Sequence, residues 1–292
     1  MLTRIDRVQL AVPDRATAAQ GWIQLLGAEH AGDDEIPGLG ASRTRYRLGH
    51  SWIELLEPSG SGAVADAVKR RGAHLFAAGA ATADLAELTA RLRERGIKPL
   101  EESGQLHLSA RETGGHGLRL VISADDADDA GAAEPVGAID GLYEVTNLVS
   151  DAKAATEHCA ELFGLEPAAF VPIDSRHYGY QGTLTLFDPD RLHRFEIITP
   201  HVPDNTMGRF FARAGDSLYM AFAESDELVA LEERAKEAGI GHTPVRAPDH
   251  KKEREGADTL FLHPKGLGGM MLGLSRPGYA WNWSGHPERV DS

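Results

Sequence analysis

The sequence predicts an α+β protein built from four βαβββ units that pair into two domains. Three observations carry this expectation. The chain runs to 292 residues, comfortable for two domains at roughly 150 residues each. Its second half repeats the pattern of its first. Each half also opens on a strand with apolar residues at period two, which leads into a helix-like stretch.

The repeat is legible position by position. Val8–Asp14 lies over Val145–Asp151, and Trp22–Gly27 then falls on Cys159–Gly164 without a gap. Further along, Trp52–Pro58 falls on Arg194–Pro200, and Arg71–Phe76 falls on Ala214–Tyr219. The register continues through Leu85 and Leu228 to Ile97 and Ile240. Self-similarity of this kind marks a repeated supersecondary unit. The expected domains are 1–124 and 137–292, the second ending in an aromatic tail. Between them, 125–136 is small and acidic, a composition that cannot bury a face and reads as a linker.

Within each half the elements follow in order. Val8, Leu10 and Val12 alternate along a first strand, and the helix after it ends at Leu25-Leu26-Gly27, where glycine is a natural C-cap. Three short strands follow, the last being Ser51 to Glu57. A strand near His74, a helix from Asp84 to Arg95 and strands to Ile122 complete the second unit. Because strand faces alternate, Val8, Leu10 and Val12 pack under the helix and turn Arg7, Gln9 and Ala11 the other way. Trp52, Glu54 and Leu56 likewise share a face. A carboxylate on such a face needs a partner, so function is sought there.

Charge and composition exclude several classes. A formal charge of −14, from 44 acidic against 30 basic residues, repels phosphate backbones and anionic membranes. A single cysteine, Cys159, permits no disulfide within the chain and fits a reducing compartment. The opening MLTRIDRVQLAVPD has no long apolar core, and no window approaches 18 uninterrupted apolar residues. A cytoplasmic protein with neither nucleic-acid nor membrane partner is expected. The run Gly266–Gly269 lacks a phosphate-loop pattern and leads into a strand at Met270–Leu274. The cluster Lys69-Arg70-Arg71 reads as a solvated helix face.

These residues resemble the vicinal oxygen chelate superfamily, the glyoxalase, bleomycin-resistance and extradiol dioxygenase type, over essentially the whole chain. Ile5–Asp14 resembles its first strand. Trp52–Pro58 and Phe261–Gly269 resemble its later strands, in the style of methylmalonyl-CoA epimerases. The resemblance implies a cavity for a small organic molecule and, in many members, a divalent metal held from first and last strands. Carried over, the ligand places are Arg7, Glu54, Phe76 and Val121 in the first domain. In the second they are Glu144, Glu196, Tyr219 and Gly273. No histidine stands at any of them.

The first domain thus offers Arg7 facing Glu54, a structural ion pair or an anchor for an anionic ligand. His74 reads as a core histidine or a ligand contact beside Gln9. The second domain offers Glu144 and Glu196. Two carboxyls facing one cavity act as acid and base, bind a hard cation together with Tyr219, or are neutralised by Arg194 on the same face. His177, Tyr178 and Tyr180 are expected in the strand before Glu196, His177 as a base and Tyr180 as a substrate contact. His263 belongs to a His-Pro-Lys-Gly turn. The tail Tyr279–Trp283 is expected to dock on the second domain or across a homodimer.

The expected function is an enzyme acting on a small carbonyl-bearing or aromatic metabolite by proton transfer, as a lyase or isomerase. Glu144, Glu196, Tyr219 and His177 would carry the chemistry. Arg7, Gln9, Glu54, His74, Tyr180, Arg194 and His263 would contact the ligand. A divalent metal on Glu144 and Glu196 is the one cofactor considered. The alternative is a non-catalytic binding or resistance protein without metal, and ring-cleaving dioxygenase chemistry ranks lower.

Overall fold

A computed structural model describes residues 1–125, 134–246 and 256–290. Most of the expected linker, 125–136, lies outside the described residues. The strands are β1 (Leu2–Ala11), β2 (Glu29–Ile36), β3 (Ala41–Leu48), β4 (Ser51–Pro58), β5 (His74–Thr82), β6 (Leu100–Glu102), β7 (Gln105–Leu108) and β8 (Leu120–Ala124). The second half repeats the series as β9 (Leu142–Leu148), β10 (Val171–Ser175), β11 (Tyr180–Leu186), β12 (Arg194–Pro200), β13 (Ser217–Glu224), β14 (His242–Val245), β15 (Thr259–Leu262) and β16 (Met271–Ser275). Strand order makes the duplication plain. One sheet runs β2-β3-β4-β1-β5-β8-β7-β6, and the other runs β10-β11-β12-β9-β13-β16-β15-β14, the same order advanced by eight.

The duplicated helices are capped alike. Asp14 accepts from the Thr17 amide at the start of Arg15–Leu26, and Gly27 closes that helix in the left-handed region at φ 74°. Asp151 accepts from the Ala154 amide at the start of Ala152–Phe163, and Gly164 closes it at φ 60°. An aspartate N-cap and a glycine C-cap satisfy the backbone groups that a helix leaves open at its ends. Among the described residues no helix is long and apolar enough to cross a membrane.

By contact density the chain divides into two compact units. One is drawn from the described parts of Met1–Ile5, Ala77–Asp126 and Glu144–Tyr219. The other is drawn from the described parts of Asp6–Phe76, Ala127–Tyr143 and Met220–Ser292. Inside the second unit the helix Arg15–Leu26 meets the turn at Pro264–Gly266. Gly21 comes so close to the Gly266 carbonyl oxygen that an added Cβ would sit 1.8 Å from it. Gly268 packs similarly against Leu10 and Ala18.

Candidate functional site

Parallel pairing of β9 with β12 sets Arg194 opposite Glu144 and Glu196 opposite Thr146. Side chains on paired strands alternate together, so these four share one face, and all four are buried. Arg194 Nε donates to Glu144 Oε2 at 2.6 Å, and its Nη1 donates to the Leu192 carbonyl at 3.1 Å. Thr146 Oγ1 donates to Glu196 Oε2 at 2.5 Å. The hydroxyl of Tyr180, from neighbouring β11, also donates to Glu196.

The two carboxyls therefore differ. Burial pushes both up, but on Glu144 the adjacent guanidinium pulls back. Glu196 has hydroxyl partners instead, and burial together with the Glu144 charge pushes it up to about 8. The two titrate as a pair, each pushed up by burial. Burial and then the Glu196 and Glu144 carboxyls push the Tyr180 phenol up, so it stays a donor.

A line of rings leads outward from Glu196. Tyr180 lies nearly parallel to Tyr178, with centroids 6.4 Å apart and an interplanar angle of 13°. Tyr178 meets His177 edge to face at 4.6 Å. The sequence reading put His177 and Tyr178 in a strand; they occupy the turn between β10 and β11 instead. Gly179 enables that turn at φ 71°, and Asn205 Nδ2 fixes it by donating to the Tyr178 carbonyl. His177 is exposed, away from the buried pair. Tyr219 is half-buried and packs edge-on against Phe210, with centroids 4.9 Å apart. Burial pushes its phenol up.

In each half, two of the family-type places face opposite ways. Gly273 pairs with Phe222, and the Phe222 ring lies 6.1 Å from that of Tyr143, which alternates with Glu144 on β9. Gly273 therefore shares a face with Phe222, whereas Tyr219 has the opposite parity. In the first half, Val121 pairs with Gly79, while Phe76 shares parity with Ala78 and Ala80. Phe76 and Val121 cannot face the same way. A shift of one residue reverses every side chain on a strand.

The equivalent face of the first sheet is a closed ionic network. Arg7 Nη1 donates to Glu54 Oε1 at 2.9 Å, and Arg7 also bonds Asp6 at 2.6 Å. Glu54 Oε2 accepts from Gln9 Nε2 at 2.7 Å and from Arg43 Nη1 at 3.3 Å. Arg43 further pairs with Asp34. Burial lowers the Arg7 guanidinium, but Asp6 and Glu54 outweigh it and raise the group, so it stays charged. Sequence reasoning missed Asp6, Arg43 and Asp34, although Arg43, Arg45 and Arg47 alternate visibly along β3. Thr146, the hydroxyl on Glu196, carried no signal at all.

Other expected residues have protein partners. His74 Nδ1 bonds the Gly72 carbonyl at 2.8 Å. His263 Nε2 bonds Thr243 Oγ1 at 2.9 Å beside its turn. Within the tail, Trp283 meets Phe222 and Tyr279, and the Arg289 guanidinium lies over the Trp281 ring. A divalent ion on Glu144 and Glu196 does not fit this donor set. The Arg194 guanidinium already supplies the positive charge against Glu144, and the Thr146 hydroxyl occupies one Glu196 oxygen. No cluster of three or more His, Cys, Asp or Glu suited to a metal occurs among the described residues.

No protein-family description matches the sequence, and no curated protein matches it. Solved structures do match. A variant of 4-hydroxymandelate synthase from Streptomyces coelicolor superposes with a TM-score of 0.69 at 15% identity, over 94% of this chain and 93% of that one. A fusion of a xylose isomerase-like TIM barrel with 4-hydroxyphenylpyruvate dioxygenase superposes at 0.60 and 13% identity, over 94% of this chain and 49% of that one. Methylmalonyl-CoA epimerase from Mycobacterium tuberculosis covers 47% of the chain at 20% identity, with a TM-score of 0.38 too low to argue from.

Proposed function

From a chain with the vicinal oxygen chelate fold, we propose an enzyme that moves a proton on a small carbonyl-bearing or aromatic metabolite, with Glu196 as the acid/base. One observation carries the reading. Arg194 matches the Glu144 charge and leaves Glu196 beside it, buried, with Thr146 and Tyr180 hydroxyls as its hydrogen-bond partners.

The chemistry follows from that arrangement. A carboxyl with a pKa near 8 is about one-tenth ionised at pH 7, since one pKa unit is tenfold. The ionised form takes a proton from a carbon beside a carbonyl, leaving an enolate. The resulting carboxylic acid returns the proton to the same or a neighbouring carbon, an isomerase outcome, or gives it to a leaving group, a lyase outcome. Proximity of the working pKa to the operating pH is what makes such a group efficient. Thr146 and Tyr180 favour the ionised form and hold its oxygens still. Glu144 acts through Glu196, by raising it.

The test is solvent deuterium incorporation into a panel of small ketones, keto acids and thioesters, read by proton NMR in D2O. Exchange in one compound class, slowed at least a hundredfold by Glu196→Gln and several-fold by Tyr180→Phe, is the expected result. Saturable binding of a panel member with no exchange, unaffected by Glu196→Gln, would instead establish a non-catalytic binding protein.

A further inference from the structure

We propose that the face of β3 and β4 around Arg45 is a binding site for a small planar carboxylate. The inference does not rest on Glu196, which belongs to the other sheet. Arg43, Arg45 and Arg47 alternate on β3 and so share one face, and their register partners on β4 are Leu56, Glu54 and Trp52. Arg43 is taken up by Asp34 and Glu54. Arg47 lies over the Trp52 ring, 4.6 Å from its centroid, with the exposed Glu29 at its register on β2.

Arg45 is different. Its register partner Glu54 has both oxygens engaged, one by Arg7 and the other by Gln9 and Arg43. No hydrogen bond or ion pair joins the Arg45 side chain to a described residue, and its Nε is buried without a partner. The side chain instead crosses toward β2, where Gly32 makes room. A Cβ added at Gly32 would sit 3.3 Å from Arg45 Nη2, at a φ of 141° that side-chain-bearing residues rarely adopt.

A half-buried guanidinium with an orphaned Nε is costly to a fold that gains nothing from it. Its planar array of donors matches a carboxylate. Beside it, the Arg47–Trp52 stack offers a flat cationic surface for a conjugated body. Acetate would use Arg45 alone, whereas benzoate would use both groups.

The experiment is a titration of the full chain, labelled with nitrogen-15 at arginine, with benzoate, acetate and phosphate in turn. The expected result is a saturable shift of the Arg45 Nε–H resonance, identified by its loss in Arg45→Gln. Benzoate should bind several-fold tighter than acetate, and Trp52→Leu should erase that preference. Arg45→Gln should weaken benzoate at least tenfold while leaving the melting temperature essentially unchanged. Benzoate binding unaltered by Arg45→Gln, phosphate binding tighter than benzoate, or no saturation in the wild type would each overturn the proposal. So would a large drop in melting temperature for Arg45→Gln, which would make the residue structural.

Discussion

Arg194 and Glu144 face each other across adjacent parallel strands with 2.6 Å between Nε and Oε2, and neither side chain meets solvent. A buried pair is more costly to break than it is stabilising to have, because the survivor keeps its charge without compensation. Arg194→Met should therefore lose roughly 3–5 kcal/mol, measured by urea unfolding. Adding Glu144→Gln should recover much of that loss. A single variant within 1 kcal/mol of wild type, by the usual scatter of surface changes, would mean that the pair is not closed in solution.

Glu54 holds the corresponding place in the first sheet, where two guanidiniums and an amide converge on one carboxylate. Glu54→Gln keeps the shape but removes the charge that both arginines share. A loss of about 2–4 kcal/mol is expected, between the cost of a broken charged hydrogen bond and that of a stranded ion. Asp34 touches the same network from a side chain 31% exposed. Asp34→Asn should cost about 1 kcal/mol or less, since water screens it. The contrast between these two variants, read by the same unfolding assay, is the informative result.

The legible and illegible parts of this chain separate by how strongly each residue is tied to a period. Glu144, Glu196 and Arg194 could be placed on one face from sequence because the duplicated first strands run into matching Pro13-Asp14 and Ser150-Asp151 anchors, and Trp52–Pro58 then aligns with Arg194–Pro200. The same argument failed on β8 and β16, where a nearly apolar run carries a single serine, Ser123 or Ser275, close to its end. One member of each pair, Tyr219 with Gly273 and Phe76 with Val121, was misplaced for that reason. His177 and Tyr178 were misassigned because Gly179, at φ 71°, ends the apparent strand in a turn. Thr146 could not have been singled out, since a threonine in a strand is ordinary until its partner is known.

Gly21 reverses a familiar rule. In the interior of a solvated helix, glycine to alanine usually stabilises by about 1 kcal/mol. Here the new Cβ would sit 1.8 Å from the Gly266 carbonyl oxygen, a backbone atom that cannot swing away. Gly21→Ala is expected to destabilise by roughly 2–4 kcal/mol, the cost of forced repacking in a close contact. Gly60→Ala, where an added Cβ would meet nothing within 4 Å, serves as the neutral control. Stabilisation by Gly21→Ala would show that this helix and the Pro264–Gly266 turn are not packed together.

Glu196 makes stability depend on pH, with a definite sign. Its carboxyl is raised from 4.5 to about 8 on folding, by burial and by Glu144. Between those values the native state holds a proton that the unfolded chain has released. Stability then falls as pH rises through the window, at most about 1.4 kcal/mol per unit for one proton, and levels off above it. Glu196→Gln mimics the protonated form at every pH, so its advantage over wild type should be small near pH 4.5 and grow toward pH 8. Thr146→Val removes a donor that favours the ionised form and should push the upper limit of the window higher. Glu144→Gln removes the like charge, frees Arg194 and should pull it lower. Unfolding free energies measured from pH 5 to pH 9 decide the matter. Parallel curves for wild type and Glu196→Gln would show that the carboxyl ionises normally, and the acid/base role would go with it.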